Sequence, residues 1–288
     1  MRIIRAVMSK YAFPATLVFA VGATIWGVRS DIPPAVVVVC AILCVVLPLM
    51  VLERWMPHRE SWNRSLEENR VDVAHMLNTA LATELFRAMT FGGLFWVAAL
   101  VTNAMGGTIW PTEAPAVLQL ALALAIGDFG AYWVHRSAHE GTLLWRLHAM
   151  HHTSERLHTL SSGRNHPGNA VFAYSSQVVP LAILGAPTEV LATLSVFTAV
   201  HGMLQHCNAD FNHGFLNHIF ATADLHRWHH STDFEHSNTN FGSNIALWDK
   251  VFGTWSLPDT DGPERVGLED VEMPERFWAH LASPVTME

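Results

Sequence analysis

Residues 12–29 and 33–52 form two apolar runs, each close to the twenty or so residues a helix needs to cross a bilayer. Arg29-Ser30-Asp31 makes a turn between them, with Pro33 and Pro34 just beyond. Arg2, Arg5 and Lys10 precede the first run, and the charged stretch ERWMPHRESWNRSLEENR follows the second. This bias places the N-terminus and the 53–70 loop on the cytoplasmic side, which needs an even number of crossings between them, and two fit. Composition agrees: half the residues are apolar, and 15% are charged where soluble domains carry roughly 25%. No small-residue cleavage site follows MRIIRAVMSK, so the first run reads as a retained span.

A third helical stretch covers about 72–102. Glu84 and Arg87 stand there at i,i+3 spacing, and charges within a membrane usually face a bundle interior or a cavity. The loop NAMGGTIWPTEA leads to a fourth apolar helix at about 115–134, which delivers His135 at its inner end. Residues 170–205 hold a further apolar pair broken at Gly185-Ala186-Pro187, either a hairpin of spans or a re-entrant loop. An out-and-back passage there returns His201 and His206 to the side of the other histidines. The expected fold is all-α: an integral membrane helical bundle with a histidine-rich, two-metal cap on the cytosolic side.

The stretch HRSAHEGTLLWRLHAMHH, from His135 to His152, holds five histidines in eighteen residues. Residues three and four apart share a helix face, so His135 and His139 point one way and His148, His151 and His152 converge as a second set. His226, His229 and His230 repeat the pattern. Neutral imidazole suits iron, zinc, copper and nickel. Eight such groups exceed the needs of one four-coordinate zinc, and the natural count is two metals with open positions left over. A carboxylate-bridged bundle needs two glutamates and two Glu-x-x-His motifs. Here a single one, Glu155 to His158, is present.

Other classes lack their motifs. His139-Glu140 is followed by Gly141, Thr142 and Leu143, so HExxH is missing, as are GxSxG, the P-loop and GxGxxG. With a net charge of −8 and no basic stripe, nucleic acid is not an expected partner. Cys40 and Cys44 lie in an apolar run, Cys207 stands alone, and no CxxC pair exists. A redox metal pair beside apolar helices suits O2-dependent attack on a lipid C–H bond, whereas a zinc pair would activate water. Composition does not choose between iron and zinc.

YWVHRSAHEGTLLWRLHAMHHTSERL, LQHCN, ATADLHRWHHS and NTNFGSNIALWDKVFGTW, in that order, resemble the fatty acid hydroxylase/sterol desaturase superfamily from about Asp128 to Trp255. ERWMPHRESWNR is similar to that family's first cytosolic loop. The resemblance implies an integral membrane, non-haem di-iron, O2-dependent oxidoreductase acting on a lipid or sterol-like substrate, with hydroxylation favoured over desaturation. It passes metal-ligand and catalytic roles to His135, His139, His148, His151, His152, His226, His229 and His230. His206 and His201 match the family's additional metal histidines. No ferredoxin-like or flavin domain is evident, so electrons are expected from a separate reductase, ferredoxin or cytochrome. The expected divisions are a transmembrane region with its cytosolic loop (1–115), a hydroxylase-like di-iron domain (116–257) and a cytosolic tail (258–288).

Around this set, Asp128, Glu140, Asp224 and Asp249 are candidates to orient ligand imidazoles through the second ring nitrogen. Asn208 is a candidate water-mediated ligand or turn cap, and His166 an outer group or a helix-start histidine. His158 and His236 have no clear family counterpart. His58, His75, His213, His218 and His280 read as solvated or interfacial. Two rival classes stay open: a membrane metal-binding or transport protein, which would carry its ligands within the spans, and a metal-dependent hydrolase, which would be indifferent to O2.

Overall fold

A computed structural model of the chain describes residues 1–63, 67–269 and 276–287. The two apolar runs form α1 (Arg2–Arg29) and α2 (Pro34–Trp55). Asp31 turns the chain at φ 58°. Pro34 then opens α2 at a position where a missing N–H costs nothing. α3 (Glu67–Met105) and α4 (Ala116–Glu140) follow, and these four helices are long and apolar enough to cross a membrane. Residues 64–66 and 270–275, parts of the charged loop and of the expected tail, lie outside the described residues.

The apolar pair after the first histidine stretch becomes α6 (Pro167–Ile183) and α7 (Thr188–His206), and the two diverge instead of pairing. α6 lies against α3 and α4, while α7 runs through the centre against α1, α2 and α4. α7 is buried on nearly every side, from Val190 to His206, as expected of a helix whose polar residues face inward partners. The core around it includes Phe13, Leu49, Ala123, Leu181 and Leu204. α4 crosses α6 at Gly127 and Gly130, and a Cβ at Gly130 would run into the Ser176 carbonyl oxygen. Glycine is required there for the backbones to approach.

Glu84 and Arg87 form the i,i+3 pair their spacing predicts, but on the outside of the bundle, with side chains 49% and 34% exposed. The Arg87 guanidinium sits 5.7 Å from the Phe91 ring, so the pair is neutralised and half covered locally instead of by other helices.

One end of the bundle carries the histidines. Arg5 donates to the Trp55 carbonyl, joining the start of α1 to the end of α2. The buried Glu53 carboxylate accepts from the Thr159 amide and hydroxyl and from the Asn208 amide, so α2 anchors two later loops. α5 (Thr142–His152), α8 (Ala223–His229), α9 (Phe234–Ser237) and α10 (Leu247–Phe252) complete this end.

The described part of the expected tail packs against it. Ser231 bridges to Val266, Gly267 N–H donates to the His230 carbonyl at 3.0 Å, and Val266 is buried against Trp62 and Leu157. Arg59 fastens this strap by donating to the Pro263 and Glu264 carbonyls. α11 (Phe277–Thr286) then lies across α5 and α3, where His280 Nδ1 meets His75 Nε2 at 3.0 Å. His75, His213 and His280 are therefore buried, not solvated. His75 and His280 partner one another across the chain, and His213 meets the Asp224 carboxylate at 2.9 Å.

Candidate metal centre

Nine of the ten histidines expected to bind metal come together in two adjacent groups. His135, His139, His148, His152 and His229 form one, and His151, His206, His226 and His230 the other, with ligand atoms inside each group all within 4.8 Å of one another. The helical spacings do the sorting. His135 and His139 leave α4 on one face, and α5 splits its three between the groups because His151 and His152 point about 100° apart. α8 splits its own in the same way, with His229 to the first group and His226 and His230 to the second. α7 adds His206.

His201 joins neither group. It is fully buried among Phe13, Phe197 and Phe220, with ring centroids 5.8, 5.6 and 6.1 Å away. Five residues along a helix turn a side chain by roughly 140°, so His201 and His206 cannot share a face of α7.

The outer ring nitrogens show which way the lone pairs aim. His135 Nδ1 donates to the Phe241 carbonyl at 2.8 Å, His229 Nδ1 to Thr239 at 2.8 Å and His151 Nδ1 to Arg164 at 3.2 Å. A carbonyl only accepts, so these Nδ1 atoms carry the proton and Nε2 is an acceptor. His206 follows by another route. The Ser161 hydroxyl gives its proton to the His158 carbonyl and therefore accepts from His206 Nδ1 at 3.1 Å.

The inner nitrogens meet no group of the protein except one another. His135, His139 and His229 bury Nε2 without a hydrogen-bond partner. Elsewhere Nε2 faces Nε2: His226 to His206 at 2.9 Å, His230 to His226 at 3.1 Å, His230 to His151 at 3.2 Å, and His152 to His148 at 3.1 Å. Such spacings are what imidazoles sharing an ion at about 2.0–2.1 Å would adopt. Orphaned acceptors converging in a buried space fit a cation in each group.

Electrostatics point the same way. Burial first, then the neighbouring imidazoles, hold His148, His152, His226, His229 and His230 well below the ordinary histidine value. Burial and the charge His135 would carry bring His151 down to about 4. These rings are thus neutral near pH 7, the form that binds a metal. The two groups differ in access. All four members of the second are buried, whereas His135 and His139 are half-buried, so the first group opens on that edge. Trp145 and Phe241 flank the opening, 5.3 and 5.4 Å from the His139 ring.

The four carboxylates expected to orient ligands do not touch an imidazole of either group. Backbone carbonyls hold the rings, and two of the aspartates hold the backbone. Asp249 accepts from the Phe241 and Gly242 amides and the Thr254 hydroxyl, and Asp128 accepts from the Asn244 and Ile245 amides and the Asn244 side chain. Asp224 instead fixes the start of α8 by pairing with His213 and Arg227. Burial would raise its pKa, but the His213 hydrogen bond and Arg227 outweigh that and bring it to about 2. Glu140 pairs with Arg136 at the exposed end of α4.

Behind the Arg164 carbonyl stands a pair with no exposed surface, Arg164 Nε to Asp72 Oδ1 at 2.7 Å, and His158 Nε2 lies 2.9 Å from the other carboxylate oxygen. His166 caps α6, its Nδ1 accepting from the Gly168 amide at 3.1 Å. Asn208 clasps the Arg59 backbone, and His236 lies outside on Asp233 and the Trp228 ring.

A family model for fatty acid hydroxylases matches residues 120–254, which span the whole of both histidine groups. Ornithine lipid hydroxylase OlsE of Rhizobium tropici is 34% identical over 281 residues, covering 97% of this chain and 84% of that protein. The chain belongs to the fatty acid hydroxylase family. Human alkylglycerol monooxygenase is 33% identical over 130 residues, 44% of this chain and 28% of its own length. A very-long-chain aldehyde decarbonylase of Oryza sativa subsp. indica, GL1-6, is 26% identical over 210 residues, 67% of this chain and 30% of that protein. No solved structure matches the chain significantly.

Proposed function

We propose that this chain is an integral membrane hydroxylase of a polar lipid, working with two iron ions and O2. The observation that carries the reading is the pair of adjacent all-imidazole groups, nine histidines with ring nitrogens turned toward one another and no carboxylate among them. His135, His139, His148, His152 and His229 would hold one ion, and His151, His206, His226 and His230 the other. When bound, such a pair supplies the redox chemistry that activates O2 for insertion into a C–H bond. The half-buried His135–His139 edge, between Trp145 and Phe241, is where substrate meets the centre. The relative that aligns along nearly the whole chain is named for an ornithine lipid, which favours a headgroup-bearing lipid as substrate.

Hydroxylation consumes one O2, two electrons and two protons for each alcohol and water formed. A separate reductase, ferredoxin or cytochrome would deliver the electrons. A transport role is disfavoured because the histidines converge into two compact groups at the ends of α4 and α7, and among the described residues no ladder of metal-ligand clusters runs through the spans.

The test is turnover of a membrane lipid extract by purified protein with isotopically labelled O2 and a reductase system. Label is expected in a lipid alcohol. An unlabelled new alkene would mean desaturation, and full-rate product without O2 would overturn the oxygenase reading.

The histidine end of the bundle, with the N-terminus and the 53–63 segment beside it, is assigned to the cytosol on charge bias. Cysteines introduced at Glu60, Thr142 and Thr232 are expected to react with a membrane-impermeant thiol reagent only from the cytosolic side. Reaction of any one from the opposite side would reverse that assignment.

A further inference from the structure

α4 and α7 both start on the far side of the bundle and reach the histidine groups at their C-terminal ends. The far side is fixed by three contacts: Arg29 with Glu189, Thr108 with the Leu184 and Gly185 carbonyls, and Trp110 with Gln119. Distance along either helix, measured back from its histidine, is therefore depth into the bundle. Asp128 lies seven positions before His135 and Thr198 eight before His206, roughly 10–12 Å in each case at 1.5 Å per residue. Asn244 bonds to both: its side-chain nitrogen is 2.6 Å from Asp128 Oδ1 and 3.1 Å from Thr198 Oγ1. Trp248 reaches further, donating to the Ala125 carbonyl at 2.9 Å, ten positions or about 15 Å before His135. Phe220, bridged to Ile245, rests 6.2 Å from Phe197, nine positions before His206.

If the hydrophobic layer ended level with Ala125, only residues 116–124 of α4 would remain within it, about 14 Å of helix against a core of roughly 30 Å. The layer must then extend toward Trp133 and Arg136, where the exposed face of α4 changes from apolar to charged. The segment tied to Ala125 and Asp128 is thereby inside it. Its backbone suits that place. Ala246 N–H bonds to the Ile219 carbonyl, Ala221 N–H to the Asn244 carbonyl, the Asn244 and Ile245 amides to Asp128, and the Phe241 and Gly242 amides to Asp249. Non-helical chain survives at membrane depth when its polar groups are satisfied internally. Its outward residues are apolar: Ile219, Leu247 and Val251 are 43%, 42% and 57% exposed. Lys250 bends away to the His218 carbonyl at 2.7 Å and over the Trp255 ring, as a lysine does when its stem lies in an apolar layer.

We propose that residues 241–252, with Ile219 and Phe220, form a re-entrant element immersed in the acyl layer, so that α10 presents Leu247 and Val251 to lipid chains. On that side the histidine centre is flanked by lipid, not roofed by a water-facing cap. This goes beyond the hydroxylase reading and depends on the spans alone, so it can fail while that reading stands.

The test uses the full chain in lipid nanodiscs, with Cys40 and Cys44 replaced by serine and single spin labels at Leu247 and Val251. Leu122 on the apolar face of α4 and Ser137 near its charged end serve as references. Collision with O2 and with a water-soluble nickel chelate is read by electron paramagnetic resonance, and metal content reports that each labelled protein has folded. Labels at Leu247 and Val251 are expected to give an O2-to-nickel ratio near that of Leu122. A ratio nearer Ser137 at either folded position would overturn the proposal.

Discussion

His229→Ala and His152→Ala are each expected to abolish lipid oxidation and to remove an ion from the five-histidine group. Both imidazoles belong to that group and both are buried, so no water-exposed side chain can swing in to replace them. Losing a group that merely orients a ligand weakens a site by about 10–100-fold, and losing a ligand is expected to do at least that. The hole would also leave the partner imidazoles with unpaired acceptors in a dry space. Purified variants, assayed for metal per chain and for turnover, give the answer. His236→Ala is the matched control: this histidine sits outside the groups on Asp233, and its loss is expected to change neither reading. Two ions retained after His229→Ala would sink the two-centre arrangement. Zinc in an overexpressed sample would not exclude iron, since nitrogen sites prefer zinc to ferrous iron.

Asp249→Ala is expected to lower the affinity of the five-histidine group by about 10–100-fold while sparing the four-histidine group. The carboxylate touches no imidazole. It holds the Phe241 amide at 2.7 Å and the Gly242 amide at 2.8 Å, and the Phe241 carbonyl holds His135. Without Asp249 two buried amides lose their acceptor and the carbonyl loses its register, so His135 is free to rotate. In the second group His151 and His206 take their orientation from Arg164 and Ser161, which make no hydrogen bond to Asp249. Chelator titration is expected to release one ion early and one at the unaltered concentration. Simultaneous loss of both would mean that Asp249 supports the fold as a whole, not one ring.

Much of the centre is legible in the amino-acid sequence because helical spacing is a strong constraint. HxxxH and HxxHH place side chains on shared faces wherever the helix goes, and eight of the nine convergent histidines follow from those patterns. His206 follows from motif resemblance. His201 departs from its expected role for a reason the sequence itself contains: the five-residue step from His201 to His206 puts them on different faces of α7. The orienting groups are not legible at all. They are the carbonyls of Arg164, Thr239 and Phe241, which leave no trace in residue identity, and the Ser161 hydroxyl, one serine among many. Asp249 acts one bond further out than expected, through the Phe241 backbone that holds His135, while Asp128 holds the Asn244–Ile245 backbone and reaches no ring of either group. His75 and His280 read as solvated or interfacial because each one's partner is distant in sequence.

The distribution of the nine histidines along the chain has a consequence for how the protein is made. The five-histidine group spans His135 to His229 and the four-histidine group His151 to His230, so neither is complete until α8 has left the ribosome. The four candidate spans α1 to α4 all precede that point, as does α7, which packs against α1, α2 and α4. Nine neutral imidazoles with ring nitrogens turned toward one another would be held more firmly with a cation between them, so the freshly inserted chain would have its histidine end as its least secured part. If the two groups take up metal as proposed, loading would be the closing act of maturation. A cell starved of the ion would accumulate a correctly inserted protein whose histidine end is the first part exposed to quality-control proteases.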